Sequence, residues 1–348
     1  MNLRRLADLL PGKSRWCRRL LKFPLFLFRT GSWPLSSWLA RHDASISVDF
    51  RNVPRNDLAA SWMAVGTWDE LVIADGKVVS RSLGLTLKAG GIPTIGFATL
   101  RYLADRGFRT RQIEEGVEVY RKNLAFRITN SEEIDIAREI FLEGSYSFSL
   151  EGSWVVFDIG ANVGLASLNF ASQPWVSHVY AFEPFEATVD AFLQNLALNP
   201  SLAEKLTVHR LGWSDREETV TLQYHRERSG SMRLDGPGAY GGPPSGAGER
   251  ASIQLHRASS EFYRHLPLSS GQPILMKLDC EGSEYPILRD LEAADLLGKI
   301  DALVIEWHYA LPDELTTRLA RAGFCTQVRP VRESDRQGLI FAWRQNTR

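Results

Sequence analysis

Four apolar runs in this chain each end in a carboxylate: Trp154-Val155-Val156-Phe157-Asp158, His178-Val179-Tyr180-Ala181-Phe182-Glu183, Pro273-Ile274-Leu275-Met276-Lys277-Leu278-Asp279 and Ala302-Leu303-Val304-Ile305-Glu306. Runs this short and this apolar read as strands buried on both faces. Segments with helical spacing separate them, carrying Leu165, Leu168 and Phe170, then Val189, Phe192, Leu193 and Leu196, then Ile287, Leu288, Leu291 and Leu296, and a last one over 312–322. Strands alternating with helices imply an α/β fold, a mostly parallel, doubly wound sheet covered on both faces. Leu206–Arg210 reads as a further strand, Glu218–Tyr224 as an extra one, and Thr326–Pro330 with Gly338–Trp343 as a terminal antiparallel hairpin. Seven Gly and three Pro between 229 and 250 exclude helix and strand there and leave a long loop. Ligands of such sheets bind beyond the carboxyl ends of the strands, where strand order reverses, so the acids at those ends are the informative residues.

The rest of the chain divides around this pattern. Residues 1–45 form a basic amphipathic head, 46–125 a small α+β region and 126–348 the α/β domain. Nine Lys/Arg and three acids fall within residues 1–50, whereas the whole chain has 41 of each sign and no net charge. The remainder is therefore net negative, which repels phosphates and argues against a nucleic-acid partner. Six apolar residues from Phe23 to Phe28, interrupted by Pro24, cannot span a bilayer, which needs about 20. A peripheral membrane contact through residues 1–41 and a helix packed on the main domain both suit the head. Residues 68–79 read as two short strands around Asp75-Gly76, and 96–106 and 112–122 as helices. Asn130 followed by Glu133 reads as the cap of a helix running through Ile140 and Phe141. Three widely spaced cysteines, Cys17, Cys280 and Cys325, form neither a disulfide framework nor a zinc site and fit a reducing, cytoplasmic setting.

Two of the strand ends suggest a nucleoside-bearing cofactor. After Asp158 the loop reads Gly160-x-Asn162-x-Gly164 in place of the G-x-G-x-x-G of dinucleotide sites. An acid before it disfavours pyrophosphate and suits a cationic ligand such as the amine of a methionyl group, which shifts the expectation from a nicotinamide dinucleotide to S-adenosylmethionine. Glu183 follows Gly164 by 19 residues, the distance at which an acid accepts from a ribose diol. The third end, Lys277-Leu278-Asp279-Cys280-Glu281-Gly282-Ser283-Glu284, crowds three carboxylates into six residues. Such a group needs a cation or a shared proton. Glu306 and His308 end the neighbouring strand, so an acid/base role falls on Asp279, Glu281, Glu284, Glu306 and His308.

These strings, together with Asn195-Leu196-Ala197-Leu198-Asn199, Gly212-Trp213-Ser214-Asp215 and Ser229-Gly230-Ser231-Met232, resemble the FkbM-type methyltransferase family over about 150 to 310. The resemblance implies a class I Rossmann-like methyltransferase fold and O-methylation of hydroxyls, with S-adenosylmethionine as cofactor. It implies that Asp158, Gly160, Asn162 and Gly164 meet the methionine part, Glu183 the ribose, and Ser214 or Asp215 the adenine, with Asp279 facing the transfer crevice. The family's Thr-Leu-Asp-Asp-like stretch is replaced here by Leu255-His256-Arg257-Ala258. The expected acceptor is a sugar hydroxyl in a glycan or glycolipid. A polyketide or other small natural product, and a non-catalytic nucleoside-binding module, are the alternatives. A resident metal is not expected; were a divalent ion present, Asp279 with Glu306 or His308 would hold it. Alanine at Asp158 or Glu183 is expected to abolish cofactor binding with folding intact.

Overall fold

The computed structural model describes residues 71–74, 77–80, 82–88, 95–224, 249–266, 271–330 and 336–344. The basic head, the Gly/Pro-rich stretch after Tyr224 and Ser229–Met232 lie outside them. The chain divides into two compact units, one of residues 1–121 and 127–138, the other of 122–126 and 139–348.

In the first unit, Leu71–Ala74 and Lys77–Ser80 pair antiparallel as the Asp-Gly spacing implies, and Leu85–Lys88 adds a third strand. Ile95–Asp105 is the expected helix, but 112–122 is not helical. Arg109–Ile113 and Gly116–Arg121 form a hairpin there instead. Val117 and Val119 are fully buried in it, and β-branched residues at alternate positions favour a pleated strand over a helix. The helix at Ser131–Arg138 is capped by Asn130, whose side-chain oxygen accepts from the Glu133 amide at 3.0 Å. Glu133 reaches back to the Thr129 amide at 2.5 Å, one residue earlier than a capping box would have it. The helical path past Arg138 continues as a π-helix, Glu139–Glu143.

The second unit is built on a seven-stranded sheet. Its strands in chain order are β1 (Trp154–Ile159), β2 (Val176–Phe182), β3 (Leu206–His209), β7 (Ile274–Leu278), β8 (Ala302–His308), β9 (Cys325–Pro330) and β10 (Gln337–Trp343). The strands β4 (Gly212–Ser214), β5 (Glu218–Tyr224) and β6 (Glu249–Arg257) form a separate three-stranded sheet with β6 in the middle. Across the large sheet the order is β9-β10-β8-β7-β1-β2-β3. The strands from β8 to β3 run parallel, and β9–β10 closes the sheet as the expected antiparallel hairpin. Helices α1 (Leu165–Ala171), α2 (Glu186–Ala197), α3 (Pro200–Ala203), α4 (Ala258–His265), α5 (Glu284–Ala293) and α6 (Asp313–Arg321) make the connections. Strand order reverses between β1 and β7, so the crevice at their carboxyl ends is the place for a ligand.

Burial explains the absence of alternation in the central strands: every residue of β1 and β7 is buried. Phe157 on β1 packs against Phe182, Trp213 and Phe262 at ring separations of 5.0–6.5 Å. Behind the sheet, Asn199 holds the backbone of Ala125 from both sides, accepting from its amide at 2.8 Å and donating to its carbonyl at 2.6 Å.

Three histidines meet at the β3 edge. His209 stacks on Phe182 at 4.7 Å and lies 4.4 Å from the ring of His265 on α4. His178 shares a 2.8 Å hydrogen bond with Thr207. Burial lowers the pKa of all three, with His265 adding to the effect at His209 and Glu261 opposing it. Histidines with a depressed folded pKa bind more protons when unfolded. Their contribution is complete above the unfolded value near 6.5 and is lost as pH falls below it. The difference in urea midpoint between a His178→Asn/His209→Asn variant and wild type is therefore expected to shift in the variant's favour from pH 7.5 to pH 5.5; a difference that stays level would contradict this assignment.

Candidate active site

Asp158 and Lys277 are register partners on β1 and β7, so their side chains leave the sheet on the same side. Lys277 Nζ lies 2.9 Å from Asp158 Oδ1, donates to the Gly160 carbonyl at 2.8 Å and approaches Asp279 Oδ2 at 3.5 Å. Ser167 of α1 donates to the other Asp158 oxygen at 2.5 Å. Both ionic side chains are buried, Asp158 completely. Burial works against the Lys277 charge, but Asp158 and Asp279 outweigh it and hold the ammonium above its ordinary pKa. The Asp158 carboxylate is thus committed to the interior. Alanine there would strand a buried ammonium, so it does not remove a contact with folding intact as the sequence suggests.

The loop after β1 is fixed by contacts a side chain would prevent. Gly160 has φ +79°, and a Cβ on it would stand 1.7 Å from the Asp279 carbonyl oxygen. Gly164 has φ +85°, and its Cβ would fall 2.2 Å from the Phe192 ring of α2. The glycines here let the β7 end and α2 approach the loop. Asn162 takes φ +49°, a left-handed conformation that asparagine tolerates, and its amide donates to Glu183 Oε2 at 3.0 Å. The Phe185 amide donates to Glu183 Oε1 at 3.0 Å. Burial pushes the Glu183 carboxyl up to about 7 against the pull of these two amides. Asn195 holds the loop from behind, donating to the Val163 carbonyl at 2.9 Å. Ser214 is buried at the end of β4, its hydroxyl 3.4 Å from Asp215, which pairs with Arg216. Gly212 of the same strand packs against Pro184, setting β4 beside the Glu183 turn.

The acids that follow β7 and β8 gather around His308. Glu284 is completely buried. It accepts from the Cys280 amide at 2.7 Å and the Gly282 amide at 2.9 Å, and its Oε1 lies 3.1 Å from His308 Nδ1. His308 Nε2 faces Glu306 Oε1 at 3.7 Å and Glu281 Oε1 at 3.8 Å. Glu281 bonds the Tyr309 hydroxyl through Oε2, and both residues have positive φ, +52° and +65°. Non-glycine residues held there cluster at functional sites. Gln337 donates to Glu306 Oε1 at 3.0 Å. Tyr146, which nothing in the sequence singles out, donates to Asp279 Oδ2 at 3.0 Å with Glu306 Oε2 at 3.3 Å. Burial raises Glu281 and Glu306 to about 7, with His308 pulling each of them back down. Burial opposes the charge on His308, yet Glu284 first, then Glu281 and Asp279, push it up to about 10. All five expected acid/base residues therefore meet, and Glu284, completely buried, is the one pinned by two backbone amides. One donor atom each from Asp279, Glu306 and His308 lie within 4.8 Å of one another, close enough to converge on a metal ion.

Residues 158–325 match the family model described as the methyltransferase FkbM domain. This stretch is an FkbM methyltransferase domain. It contains every strand-end acid described above. The FkbM domain and its surroundings are similar to "Methyltransferase sdnD" of Sordaria araneosa, 25% identical over 245 residues that cover 64% of this chain and 93% of that protein. They are also similar to "Methyltransferase 1" of Beauveria bassiana, 26% identical over 209 residues, 56% of this chain and 81% of that one. The crystal structure of methyltransferase FkbM from Methylobacillus flagellatus KT aligns with a TM-score of 0.39 at 17% identity, covering 59% of this chain. The chain spans 47% of that protein, about half its length. Among the described residues, no helix is long and apolar enough to cross a membrane.

Proposed function

We propose that this methyltransferase uses S-adenosylmethionine and transfers the methyl group to a hydroxyl, with a sugar in a glycan or glycolipid as the leading acceptor. The observation that carries the reading is Glu183, a buried carboxylate just past β2 that accepts one amide hydrogen at each oxygen. A carboxylate has about four acceptor sites, so two remain for the paired hydroxyls of a ribose. When bound, the cofactor supplies an electrophilic sulfonium methyl. The chain must hold a hydroxyl near it and take up its proton. We assign the proton to Glu281, whose Oε2 is tied to Tyr309 while its Oε1 faces His308 from 3.8 Å, too far for a hydrogen bond. Glu284 fixes the His308 ring. Asp158 acts at one remove, holding the lysine that holds the Gly160 carbonyl. An acid-lined crevice offers several acceptors to a polyhydroxylated substrate, which supports the sugar.

Calorimetric titration with S-adenosylmethionine, S-adenosylhomocysteine and NAD tests the cofactor. The two adenosyl ligands are expected to bind and NAD is not. Glu183→Gln removes a charged acceptor worth about 1.5–3 kcal/mol and should weaken S-adenosylhomocysteine roughly 10- to 150-fold, with the circular dichroism unchanged. A folded protein that ignores both adenosyl ligands would overturn the assignment.

A further inference from the structure

We propose that Asp279, Glu306 and His308 form a binding site for one divalent cation of the Mn²⁺ type. The three residues come from the ends of adjacent strands β7 and β8, and their donor atoms lie within 4.8 Å of one another. Metal–ligand bonds of about 2.1 Å span donors up to roughly 4.2 Å apart, so binding closes the group by well under an ångström per residue. The Tyr146 hydroxyl, within 3.0 Å of Asp279 Oδ2 and 3.3 Å of Glu306 Oε2, already holds the two acids at this separation.

The histidine points independently to an ion. His308 is only 5% exposed, and its Nδ1 is fixed by the buried Glu284 carboxylate, itself pinned by two backbone amides. Its Nε2 is aimed between the Glu306 and Glu281 carboxylates at 3.7 and 3.8 Å. A charged imidazolium hydrogen-bonding a carboxylate sits at about 2.7–2.9 Å, so this nitrogen makes no hydrogen bond to either. A buried imidazole oriented by a carboxylate on one nitrogen, with the other directed at further carboxylates, is the arrangement of a metal ligand and its supporting group. Mixed imidazole and carboxylate donors suit a first-row divalent ion better than Ca²⁺. The positive charge on Lys277 is closer to Asp158 than to Asp279, 2.9 against 3.5 Å, which leaves the proton on His308 to balance the acids around it, and a divalent ion at Nε2 would take that proton's place. Binding is independent of the proposed reaction. Its consequence rests on that reading: a hydroxyl brought to the ion would lose its proton more easily, with Glu281 beside it to receive that proton.

The test is titration of the chelator-treated full-length protein with MnCl₂, followed by electron paramagnetic resonance of the free ion and by calorimetry. One Mn²⁺ per chain is expected. Asp279→Asn, which keeps the shape and an acceptor for Tyr146, should weaken Mn²⁺ at least about tenfold, and Glu306→Gln should do the same. Absence of saturable Mn²⁺ uptake by the folded wild type, or uptake unchanged in both variants, overturns the proposal. S-adenosylhomocysteine titrated into the same metal-free sample keeps the two readings apart. Nucleoside binding without Mn²⁺ uptake defeats only the cation site; Mn²⁺ uptake lost in the variants, without nucleoside binding, sustains it and defeats the cofactor reading.

Discussion

Lys277→Met is expected to lower the stability of the FkbM domain by about 3–5 kcal/mol, the cost of leaving one member of a buried ion pair alone. Asp158 would keep the Ser167 hydroxyl as a donor but lose its counter-charge in a place it cannot leave, because β1 is buried along its whole length. The Gly160 carbonyl would lose its donor as well. Urea unfolding of the variant should show the drop, and the double variant Asp158→Asn/Lys277→Met should regain most of it, since replacing both members of such a pair is often close to neutral. A single variant within about 1 kcal/mol of wild type, well below the cost of a stranded buried charge, would mean that the lysine is reached by water.

Gly160→Ala should be at least as damaging, by more than about 4 kcal/mol, in the range reserved for substitutions the fold cannot relax around. The added carbon would stand 1.7 Å from a backbone oxygen of the adjoining strand end and 2.8 Å from its carbonyl carbon. No side chain can move aside, so β1 and β7 must part where the Asp279 amide bonds the Ile159 carbonyl at 3.1 Å. Gly152→Ala is the control: its φ of +88° is also left-handed, but nothing lies within 4 Å of its Cβ. That variant should cost only about 1–2 kcal/mol. Soluble yield, circular dichroism and thermal midpoint together separate the two, and similar losses would show that conformation, not contact, governs position 160.

The strand-end acids were legible because a buried strand of a parallel sheet is uniformly apolar, so its first carboxylate marks where the chain leaves the interior. That rule located Asp158, Glu183, Asp279 and Glu306 and therefore the crevice. It could not distinguish a carboxylate facing the crevice from one facing the core. Asp158 belongs to the second kind because Lys277 is its register partner, and that pairing depends on which strands are neighbours, 119 positions apart in the chain. Tyr146 was invisible for a similar reason: it touches Asp279 across 133 residues from a segment with no periodicity. The hairpin at 109–121 was misread as helix because its two short strands span only a few alternations, too few for period two to stand out against period 3.6. Asn195 and Asn199 stood out through the family resemblance alone, yet their work is mechanical, holding the Val163 and Ala125 backbones.

The grip of Asn199 on Ala125 also decides where the molecule can be cut. Residues 122–126 belong to the same unit as the sheet, although the chain leaves that unit again until 139. A truncated gene beginning at β1 would discard Tyr146 and leave the Asn199 amide facing solvent in place of a peptide group. For shortened versions, in crystallisation or as a fused module, the useful start lies at or upstream of Lys122, so the intervening residues 127–138 with their capped helix are cargo that any working fragment has to carry.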